Sequence, residues 1–294
     1  MIKEKLPVGK LLSNYQLADL VSYKAGGAAE YFYCPAEVPA LIHALKEYRH
    51  LPITVLGGGT NVLIRETGIR GLVLSLTGCF KDLQVLDDNR LYVGAGVKTS
   101  QLIKKCLELG MEDAAFMVGI PGTIGGALKM NAGSCSRGIW DYVVSVTTID
   151  RTGDVKTKEA QSFTPGYRKL TGLSADEWFI GAIFSFNLGL VKNARNQARI
   201  NFNLKRSTQP LEFPSCGSVF LNPVGEYAAK LIENCGLKGR RIGGALVSPK
   251  HANFIVNYNN ATSTDIENLI KLVIEEVYKQ YKITLVPEVK ILGG

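Results

Sequence analysis

The chain has 294 residues, of which 46% are hydrophobic and 20% are charged, and it carries a formal net charge of +8 at pH 7. This composition is typical of a globular protein with two or three domains, at roughly 100 to 200 residues per domain. The Lys and Arg residues are spread along the chain without a long basic run, so we expect no nucleic-acid partner. Small anionic ligands would gain from the same positive charge.

Other composition features exclude further classes of protein. The longest uncharged run, residues 114–128, contains a proline and several glycines, and the amino end has Lys and Glu in place of an apolar signal core. We therefore expect a cytoplasmic protein with no membrane partner. The six cysteines form no Cys-x-x-Cys pair and the three histidines are dispersed, which predicts free thiols and no metal centre.

Hydrophobic periodicity predicts alternating helices and strands in the first part of the chain. Residues 36–50 and 99–109 have helical spacing, whereas residues 53–56, 72–76 and 91–93 form short apolar runs typical of strands. Residues 143–149 and 155–157 predict a hairpin around a turn at 151–154, and residues 178–188 predict another strand.

The polar segment 192–209 precedes two prolines and is the best candidate for a domain junction, so we place a boundary near residue 200. Beyond it, we predict a short helix over 226–235, a strand over 254–257 and a long amphipathic helix over 265–281. Thr264 and Glu267 have the spacing of a capping box for that last helix.

Two glycine-rich loops interrupt this pattern. The first, residues 57–61, follows the strand at 53–56, and the second, residues 119–126, is followed closely by an Asn-Ala-Gly sequence. Glycine lets backbone amides approach a phosphate without interference from a Cβ atom. A dinucleotide-binding Gly-x-Gly-x-x-Gly would need glycine in place of Val62, and no Gly-x-x-x-x-Gly-Lys-Ser/Thr loop occurs. One such loop alone could be a plain tight turn.

Two loops that are both so rich in glycine favour a large ligand that contains a diphosphate, and FAD fits that description. The predicted cofactor-binding residues lie in and directly after these loops: Gly57, Gly58, Gly59, Thr60, Asn61, Gly119, Ile120, Pro121, Gly122, Thr123, Gly125, Gly126, Asn131, Ala132 and Gly133.

An ordered set of motifs resembles the UDP-N-acetylenolpyruvoylglucosamine reductase (MurB) family, FAD enzymes of peptidoglycan synthesis. The motifs cover nearly the whole chain, and together they resemble the shorter class of the family, which lacks an extra substrate-covering loop. They are VLGGGTNVLI at 55–64, GIPGTIGGALKMNAG at 119–133, GYR at 166–168, PSCGSVF at 214–220, SPKHANFIVN at 248–257 and PEV at 287–289.

This resemblance implies an α+β fold. Residues 1–200 would form an FAD-binding part of the vanillyl-alcohol-oxidase (PCMH) type, with two α+β subdomains split near residue 76. Residues 201–294 would form a smaller α+β substrate-binding domain. The resemblance also implies that NADPH reduces the flavin, which passes a hydride to the β-carbon of the enolpyruvyl ether. The product would be UDP-N-acetylmuramate, which is needed for cell-wall synthesis and hence for cell shape and division.

The resemblance gives roles to three residues of this chain. Arg168 would pair with the enolpyruvyl carboxylate, Ser218 would give a proton to the α-carbon, and Glu288 would help to stabilise the enolate. Taken alone, they would be a surface arginine, a turn serine and a solvated carboxylate. The predicted substrate-binding residues are Tyr167, Asn222, Lys250, His251 and Asn253, with Asn222 at the diphosphate.

The sequence departs from the family pattern at Leu170, where serine is common, and at Leu221, where a basic residue often stands. Residues 134–136, Ser-Cys-Ser, replace the usual Ala-Tyr-Gly. We expect a monomer with noncovalent FAD, because neither glycine loop contains histidine and Cys135 lies just beyond Gly133. Two alternatives stay open at this point: another FAD oxidoreductase of the same fold, such as an alcohol or hydroxyacid oxidase, and a nucleotide-binding regulator without turnover.

Overall fold

The structure is a computed structural model that describes residues 6–87, 89–134 and 136–294, so Cys135 lies outside the described residues. The chain forms two compact units. Unit 1 comprises Met1–Ser13, Tyr31–Gly58 and Gly71–Leu204, and unit 2 comprises Asn14–Glu30, Gly59–Arg70 and Lys205–Gly294. Both units are therefore built from segments that are distant in sequence. The segments 14–30 and 59–70 belong to the same unit as the carboxyl-terminal residues.

The strands are short, and many are joined by tight turns. In chain order they are β1 Leu11–Gln16, β2 Ala28–Tyr33, β3 Ile53–Leu56, β4 Val62–Ile64, β5 Ile69–Ser75, β6 Leu83–Val85, β7 Arg90–Gly94, β8 Gly133–Ser134, β9 Arg137–Gly138, β10 Val143–Asp150, β11 Val155–Glu159, β12 Thr164–Gly166, β13 Lys169–Thr171, β14 Glu177–Ser185, β15 Arg241–Ile242, β16 Ala245–Val247, β17 Ile255–Asn257 and β18 Lys290–Leu292.

The helices of the described residues are α1 Val38–Glu47, α2 Thr99–Glu108, α3 Ile124–Lys129, α4 Val191–Thr208, α5 Ala228–Asn234 and α6 Ser263–Tyr281. These bounds confirm the helices predicted over 36–50, 99–109, 226–235 and 265–281. The strands predicted over 53–56, 72–76, 91–93, 178–188 and 254–257 and the hairpin after 143 are confirmed as well.

Unit 1 contains an antiparallel five-stranded sheet with the order β11-β10-β14-β7-β6. The middle strand, β14, is apolar and buried along most of its length, as expected for a strand with neighbours on both sides. A further sheet has the order β1-β2-β5-β3, in which β3 and β5 run parallel. The first glycine loop leaves this sheet at the end of β3.

Two apolar clusters stabilise unit 1. One contains the rings of Trp140, Phe163 and Phe179, with centroids 4.9 to 5.9 Å apart. Aromatic pairs at such distances add to the stabilisation from burial alone. The other cluster joins the apolar face of α1, which includes Leu41 and Leu45, to strand β5. The second glycine loop is part of the first cluster through buried Ile124.

Unit 2 contains the three-stranded sheet β15-β16-β17 and the parallel pair β18-β4. The apolar face of α6 packs on this core, with Ile266, Leu269 and Val273 almost fully buried. The pairing of β18 with β4 joins the last strand of the chain to the residues that directly follow the first glycine loop.

The start of helix α6 differs from the prediction. The capping box predicted at Thr264 and Glu267 is wrong: Thr262 accepts a hydrogen bond from the Asp265 amide, and Asp265 accepts one from the Thr262 amide. Glu267 instead accepts two hydrogen bonds from Arg65, at 2.8 and 3.1 Å.

The polar segment expected as a domain junction forms α4, and the limit between the two units falls inside this helix, after residue 204.

Candidate active site

Within unit 1, the structure places the start of the first glycine loop against the second glycine loop. A Cβ atom at Gly57 would lie 2.9 Å from Thr123 Oγ1, and one at Gly58 would lie 2.8 Å from the Gly122 Cα. The glycines are therefore required for the close approach of the loops. The backbone amides of Gly57 and Gly58 donate no hydrogen bond to an acceptor within residues 6–87, 89–134 and 136–294. Such amides are suited to bind an anionic ligand.

The second glycine loop is held by the segment that connects β7 to α2. The Thr99 amide donates to the Gly122 carbonyl at 3.1 Å, and the Thr99 hydroxyl donates to the Ile120 carbonyl at 2.6 Å. The Gly125 amide donates to the Ala95 carbonyl at 2.9 Å. Gly122 has a φ of +104°, which a residue with a Cβ atom rarely adopts. The loop backbone is thus fixed by the protein itself.

The surroundings of Gly126 indicate whether a cofactor could lie against this part of the protein. It lies inside α3, where glycine is about 1 kcal/mol less favourable than alanine. Outside the backbone of its own helix, a Cβ atom added at this position would meet only Thr123 Oγ1, at the ordinary distance of 3.7 Å. Unlike Gly57 and Gly58, Gly126 is therefore not required by packing within the described protein. A ligand that lies against the helix would account for the glycine.

Asn131, in the Asn-Ala-Gly sequence that follows α3, is connected to the hairpin that carries Arg168. Its Nδ2 donates to the Gly166 carbonyl at 2.9 Å, and its Oδ1 accepts from the Trp140 amide at 3.3 Å. Its φ of +41° is a conformation that asparagine tolerates better than most residues. Asn131 was predicted from the sequence as a cofactor-binding residue. The structure shows in addition that its side chain ties two backbone segments together.

Arg168 lies at the tip of the hairpin formed by β12 and β13. Gly166 pairs with Lys169, so that Tyr167 and Arg168 form a two-residue connection. Arg168 has a φ of +53°, and its guanidinium carbon is 5.8 Å from the centre of the Tyr167 ring. An arginine in such a conformation is uncommon and is often associated with function. Leu170, where the family often has serine, packs against the apolar core of unit 1.

In unit 2, the continuation of the first glycine loop lies on a segment that the sequence reasoning missed. The Ser22 amide donates to the Gly59 carbonyl at 2.9 Å, and a Cβ atom at Gly59 would clash with the Leu20 carbonyl. The signal in the sequence was the pair Gly26 and Gly27 just before β2. The amides of Gly59 and Thr60 donate no hydrogen bond within the described residues.

Ser218 and Glu288 are carried by two backbone segments that pair with each other in unit 2. The Glu288 amide donates to the Val219 carbonyl at 2.7 Å, and Phe220 and Pro287 form an antiparallel bridge. Both Ser218 and Glu288 are half-buried. Residues 214–220 and 287–289 are far apart in sequence, and the structure brings them together.

Asn61, from the first glycine loop, contacts the same region. Its Nδ2 donates to the Glu288 carbonyl at 3.1 Å, and its carbonyl accepts from the Lys290 amide at 3.0 Å. The predicted cofactor loop is therefore connected within unit 2 to the segment that carries Glu288.

The predicted substrate-binding residues of unit 2 differ in their surroundings. Asn222 is exposed, and its Oδ1 accepts from the Ala228 amide at the start of α5, at 3.1 Å. Lys250 Nζ donates to the Arg206 carbonyl at 2.7 Å. His251 Nδ1 accepts from the Asn253 amide at 3.3 Å. Asn253 is only 4% exposed, and its side chain bonds to Phe220.

Burial shifts the pKa of three groups of unit 2. It raises the pKa of the Cys216 thiol to about 12, so this cysteine stays protonated and is a poor nucleophile at neutral pH. Burial also raises the pKa of the Tyr23 phenol well above its ordinary value, and it lowers the pKa of His251. The neutral imidazole is therefore the favoured form of His251 near pH 7.

Two kinds of feature are absent from the part of the chain that the structure describes. It contains no group of three or more His, Cys, Asp or Glu side chains placed to hold a metal ion. It also contains no helix of sufficient length and apolar character to span a membrane.

Comparisons with known proteins give consistent matches along the chain. The sequence profile of an FAD binding domain matches residues 29–158. The profile described as the carboxyl-terminal domain of UDP-N-acetylenolpyruvoylglucosamine reductase matches residues 209–292. The UDP-N-acetylenolpyruvoylglucosamine reductase of Legionella pneumophila is 42% identical over 287 residues, which cover 97% of this chain and 94% of that protein. The enzyme of the same name from Nitrosomonas eutropha is 40% identical over 296 residues, covering 97% and 89%.

Solved structures agree with these matches. The crystal structure of the MurB protein from Thermus caldophilus superimposes with a TM-score of 0.84 at 27% identity and covers 97% of this chain and 98% of its own. The 6-hydroxy-D-nicotine oxidase of Arthrobacter nicotinovorans, at 12% identity, has a TM-score of 0.54 and covers 99% of this chain and 91% of its own. The second likeness concerns the fold alone. Together they confirm the predicted α+β fold with an FAD-binding part of the PCMH type.

Identity of 40% to 42% over nearly the full length of both chains, together with the two domain matches, decides between the alternatives left open by the sequence. The chain belongs to the UDP-N-acetylenolpyruvoylglucosamine reductase family of FAD-dependent oxidoreductases.

Proposed function

We propose that this chain reduces UDP-N-acetylenolpyruvoylglucosamine to UDP-N-acetylmuramate, with noncovalent FAD as cofactor and NADPH as reductant. The observation that carries the proposal is the pairing of the Ser218 segment with the Glu288 segment, through the 2.7 Å hydrogen bond from the Glu288 amide to the Val219 carbonyl. A binding protein without turnover would have no need to pair the backbone segments that carry this serine and this glutamate.

The proposed cofactor site uses the two glycine loops. The amides of Gly57, Gly58, Gly59 and Thr60 are suited to the diphosphate, since they have no acceptor among the described residues. Gly126 is not required by packing within the described residues, which favours a ligand against α3. When bound, the flavin supplies a group that can accept a hydride from NADPH and later deliver it to a substrate carbon.

Arg168 is proposed to bind the carboxylate of the enolpyruvyl group. A guanidinium offers two parallel N–H donors to a carboxylate and retains its charge at all physiological pH values. When hydride adds to the β-carbon, negative charge develops on the α-carbon and spreads into this carboxylate. Arg168 then stabilises charge that is greater in the transition state than in the bound substrate.

Ser218 is proposed to donate the proton that the α-carbon needs. A serine hydroxyl is a weak acid, but the enolate formed by hydride addition is strongly basic. Proton transfer from the hydroxyl is therefore thermodynamically favourable when the oxygen is well placed. The double bond of the enol ether thereby becomes a single bond. Glu288 is proposed to help to stabilise the enolate that precedes this proton transfer.

The substrate's nucleotide part is proposed to contact Tyr167, Asn222, Lys250 and His251. Tyr167 is 59% exposed at the hairpin tip, which leaves its ring accessible to a ligand. Asn222 is proposed to contact the diphosphate. Leu221 replaces a basic residue that often precedes it, so this chain would bind the diphosphate with less positive charge.

We further propose that the protein acts as a monomer in the cytoplasm, where it serves peptidoglycan synthesis.

Turnover with a panel of substrates tests the proposal. Purified protein is supplied either with NADPH and UDP-N-acetylenolpyruvoylglucosamine or, in air-saturated buffer where O2 can reoxidise the flavin, with one of several alcohols and hydroxyacids, and products are identified by mass. We expect UDP-N-acetylmuramate in amounts equal to the NADPH consumed. Turnover of an alcohol or hydroxyacid with no reaction of the nucleotide sugar would contradict the proposal.

A further inference from the structure

Asn253 is a buried asparagine whose side chain forms two hydrogen bonds, both with the backbone of Phe220. It is 4% exposed. Its Oδ1 accepts from the Phe220 amide at 2.9 Å, and its Nδ2 donates to the Phe220 carbonyl at 2.8 Å. In addition, its own carbonyl accepts from the Val219 amide at 2.8 Å. A substrate contact would need a more exposed amide than this one.

The reason for this arrangement lies in the bridge between Phe220 and Pro287. The hydrogen bonds on either side of the bridge run from the Leu221 amide to the Val286 carbonyl, at 2.9 Å, and from the Glu288 amide to the Val219 carbonyl. Phe220 and Pro287 are therefore a non-hydrogen-bonded pair, in which the amide and carbonyl of each residue point away from the partner strand. Phe220 directs both groups toward Asn253.

Phe220 is 1% exposed, so its amide and carbonyl have no access to water. A buried peptide group without a partner is strongly destabilising. The Asn253 side chain supplies one acceptor and one donor in the positions that a neighbouring strand would occupy. The segment 219–221 is thus held on one side by residues 286–288 and on the other by Asn253.

We propose that Asn253 is a positioning residue, which holds the segment carrying Ser218 in register with the segment carrying Glu288. The inference rests on the proposed function, since that function assigns proton transfer to Ser218 and enolate stabilisation to Glu288. Asn253 acts through the backbone of Phe220 and does not touch the substrate. Its loss should therefore affect the step that uses Ser218 and Glu288 and leave the reduction of the flavin by NADPH unchanged.

Two variants test the inference. Asn253→Ala removes both side-chain hydrogen bonds, whereas Asn253→Asp keeps the acceptor for the Phe220 amide and loses the donor to the carbonyl. Should the alanine variant fail to fold, the aspartate variant still removes one of the two contacts. Because displacement of a reacting group by about 1 Å can cost a hundredfold in rate, we expect the reoxidation of the reduced enzyme by the enolpyruvyl substrate to slow by roughly tenfold to a hundredfold.

Asn257 offers a matched control in the same unit. It is 8% exposed, its Nδ2 donates to the Tyr23 carbonyl at 2.8 Å, and its Oδ1 accepts from the Ala261 amide at 2.8 Å. Asn257→Ala thus removes two buried side-chain hydrogen bonds of similar length to residues outside 214–220 and 287–289. The backbone hydrogen bond from the Asn257 amide to the Pro214 carbonyl, at 2.9 Å, does not involve the substituted side chain. The variant should lower the thermal midpoint about as much as Asn253→Ala, with an unchanged rate of reoxidation.

Amide hydrogen exchange gives a readout that is independent of activity. In Asn253→Ala, the amides of Phe220 and Glu288 should lose protection, whereas in Asn257→Ala they should keep it. Equal slowing of reoxidation in both variants, or normal protection of the Glu288 amide in Asn253→Ala, would overturn the positioning role. If the wild-type reduced enzyme did not react with the enolpyruvyl substrate at all, the proposed function would be wrong. The exchange data would then still decide whether Asn253 holds the two segments.

Discussion

The Nδ2 atom of Asn131 donates a hydrogen bond to the Gly166 carbonyl at 2.9 Å, which joins the Asn-Ala-Gly sequence after α3 to the hairpin turn of Arg168. The same side chain accepts from the Trp140 amide. A residue at the end of the proposed flavin site therefore also fixes the backbone two residues before the proposed carboxylate ligand.

Asn131→Asp should weaken substrate use more than flavin binding. The aspartate can still accept from the Trp140 amide, but it cannot donate to the Gly166 carbonyl, and the two oxygens would repel each other at 2.9 Å. We expect the KM for the nucleotide sugar to rise at least about tenfold, because the hairpin that carries Arg168 loses the hydrogen bond from Asn131 to the Gly166 carbonyl. Flavin content per chain is measured on the same samples. Asn193→Asp, on the exposed surface of α4, controls for the added charge, and an unchanged KM in Asn131→Asp would contradict the linkage.

Gly126→Ala should separate cofactor binding from folding. The new methyl group meets only Thr123 Oγ1, at 3.7 Å, and alanine favours the helix by about 1 kcal/mol, so the apoprotein should be at least as stable as the wild type. If the flavin occupies this space, the Kd for FAD should rise at least roughly tenfold, since a wrongly placed methyl group costs about 1 to 3 kcal/mol.

Gly58→Ala is the contrasting variant, because its methyl group would meet the Gly122 Cα at 2.8 Å. It should reduce the stability of the apoprotein as well as FAD binding. Normal FAD affinity in Gly126→Ala would remove the helix α3 from the proposed cofactor site.

Much of the fold follows from the sequence wherever apolar spacing is strong. Helix α6 was predicted because its buried apolar residues repeat at helical intervals, and the strand β14 because it is almost continuously apolar. Helix α4 escaped prediction as a helix because only Ala194 and Ala198 are buried on it, which leaves no apolar stripe to detect. Its polar composition is instead typical of a domain junction.

Motifs in the sequence predict which residues belong to the candidate site, but they do not predict the contacts between those residues. The hydrogen bonds of Asn131 and Asn253 connect residues 35 and 33 positions apart, and no local spacing rule reveals such contacts. The capping box of α6 was misassigned for a related reason. Both Thr262 and Thr264 are followed by an acid three residues later, and the choice between them depends on Arg65, which binds Glu267.

Ser218→Ala should separate the two half-reactions. Bleaching of the flavin by NADPH needs no proton from Ser218 and should proceed at the wild-type rate. Reoxidation by the enolpyruvyl substrate should slow by roughly a hundredfold to ten-thousandfold, the usual cost of a lost general acid. Stopped-flow absorbance measures both steps. Equal slowing of the two would assign Ser218 a structural role.

Arg168→Lys should be damaging although the positive charge is retained. One ammonium group cannot reproduce the two parallel donors of a guanidinium toward a planar carboxylate. We expect kcat/KM to fall by about tenfold to a hundredfold, the equivalent of about one charge-assisted hydrogen bond. Lys169→Arg, at the neighbouring exposed position, is the control, and near-normal turnover in Arg168→Lys would remove Arg168 from the site.

The ion pair of Glu267 with Arg65 should give unit 2 a stability that depends on pH. Hydrogen bonds from Arg65 lower the pKa of Glu267 from 4.5 to about 2, so the carboxylate stabilises the folded state fully above pH 4.5. This contribution falls as the pH drops from 4.5 toward 2, where the folded state is protonated as well. Glu267→Gln should therefore cost about 1 to 3 kcal/mol in unfolding free energy at pH 7 and much less near pH 2.5. A difference that is constant with pH in urea unfolding would contradict this role.

The visible spectrum of the purified protein, followed through one anaerobic cycle, tests the central claim most directly. We predict a yellow protein whose flavin absorbance disappears on addition of one equivalent of NADPH and returns on addition of UDP-N-acetylenolpyruvoylglucosamine, with formation of one equivalent of UDP-N-acetylmuramate. A colourless protein, or a bleached flavin that the nucleotide sugar does not reoxidise, would contradict the account.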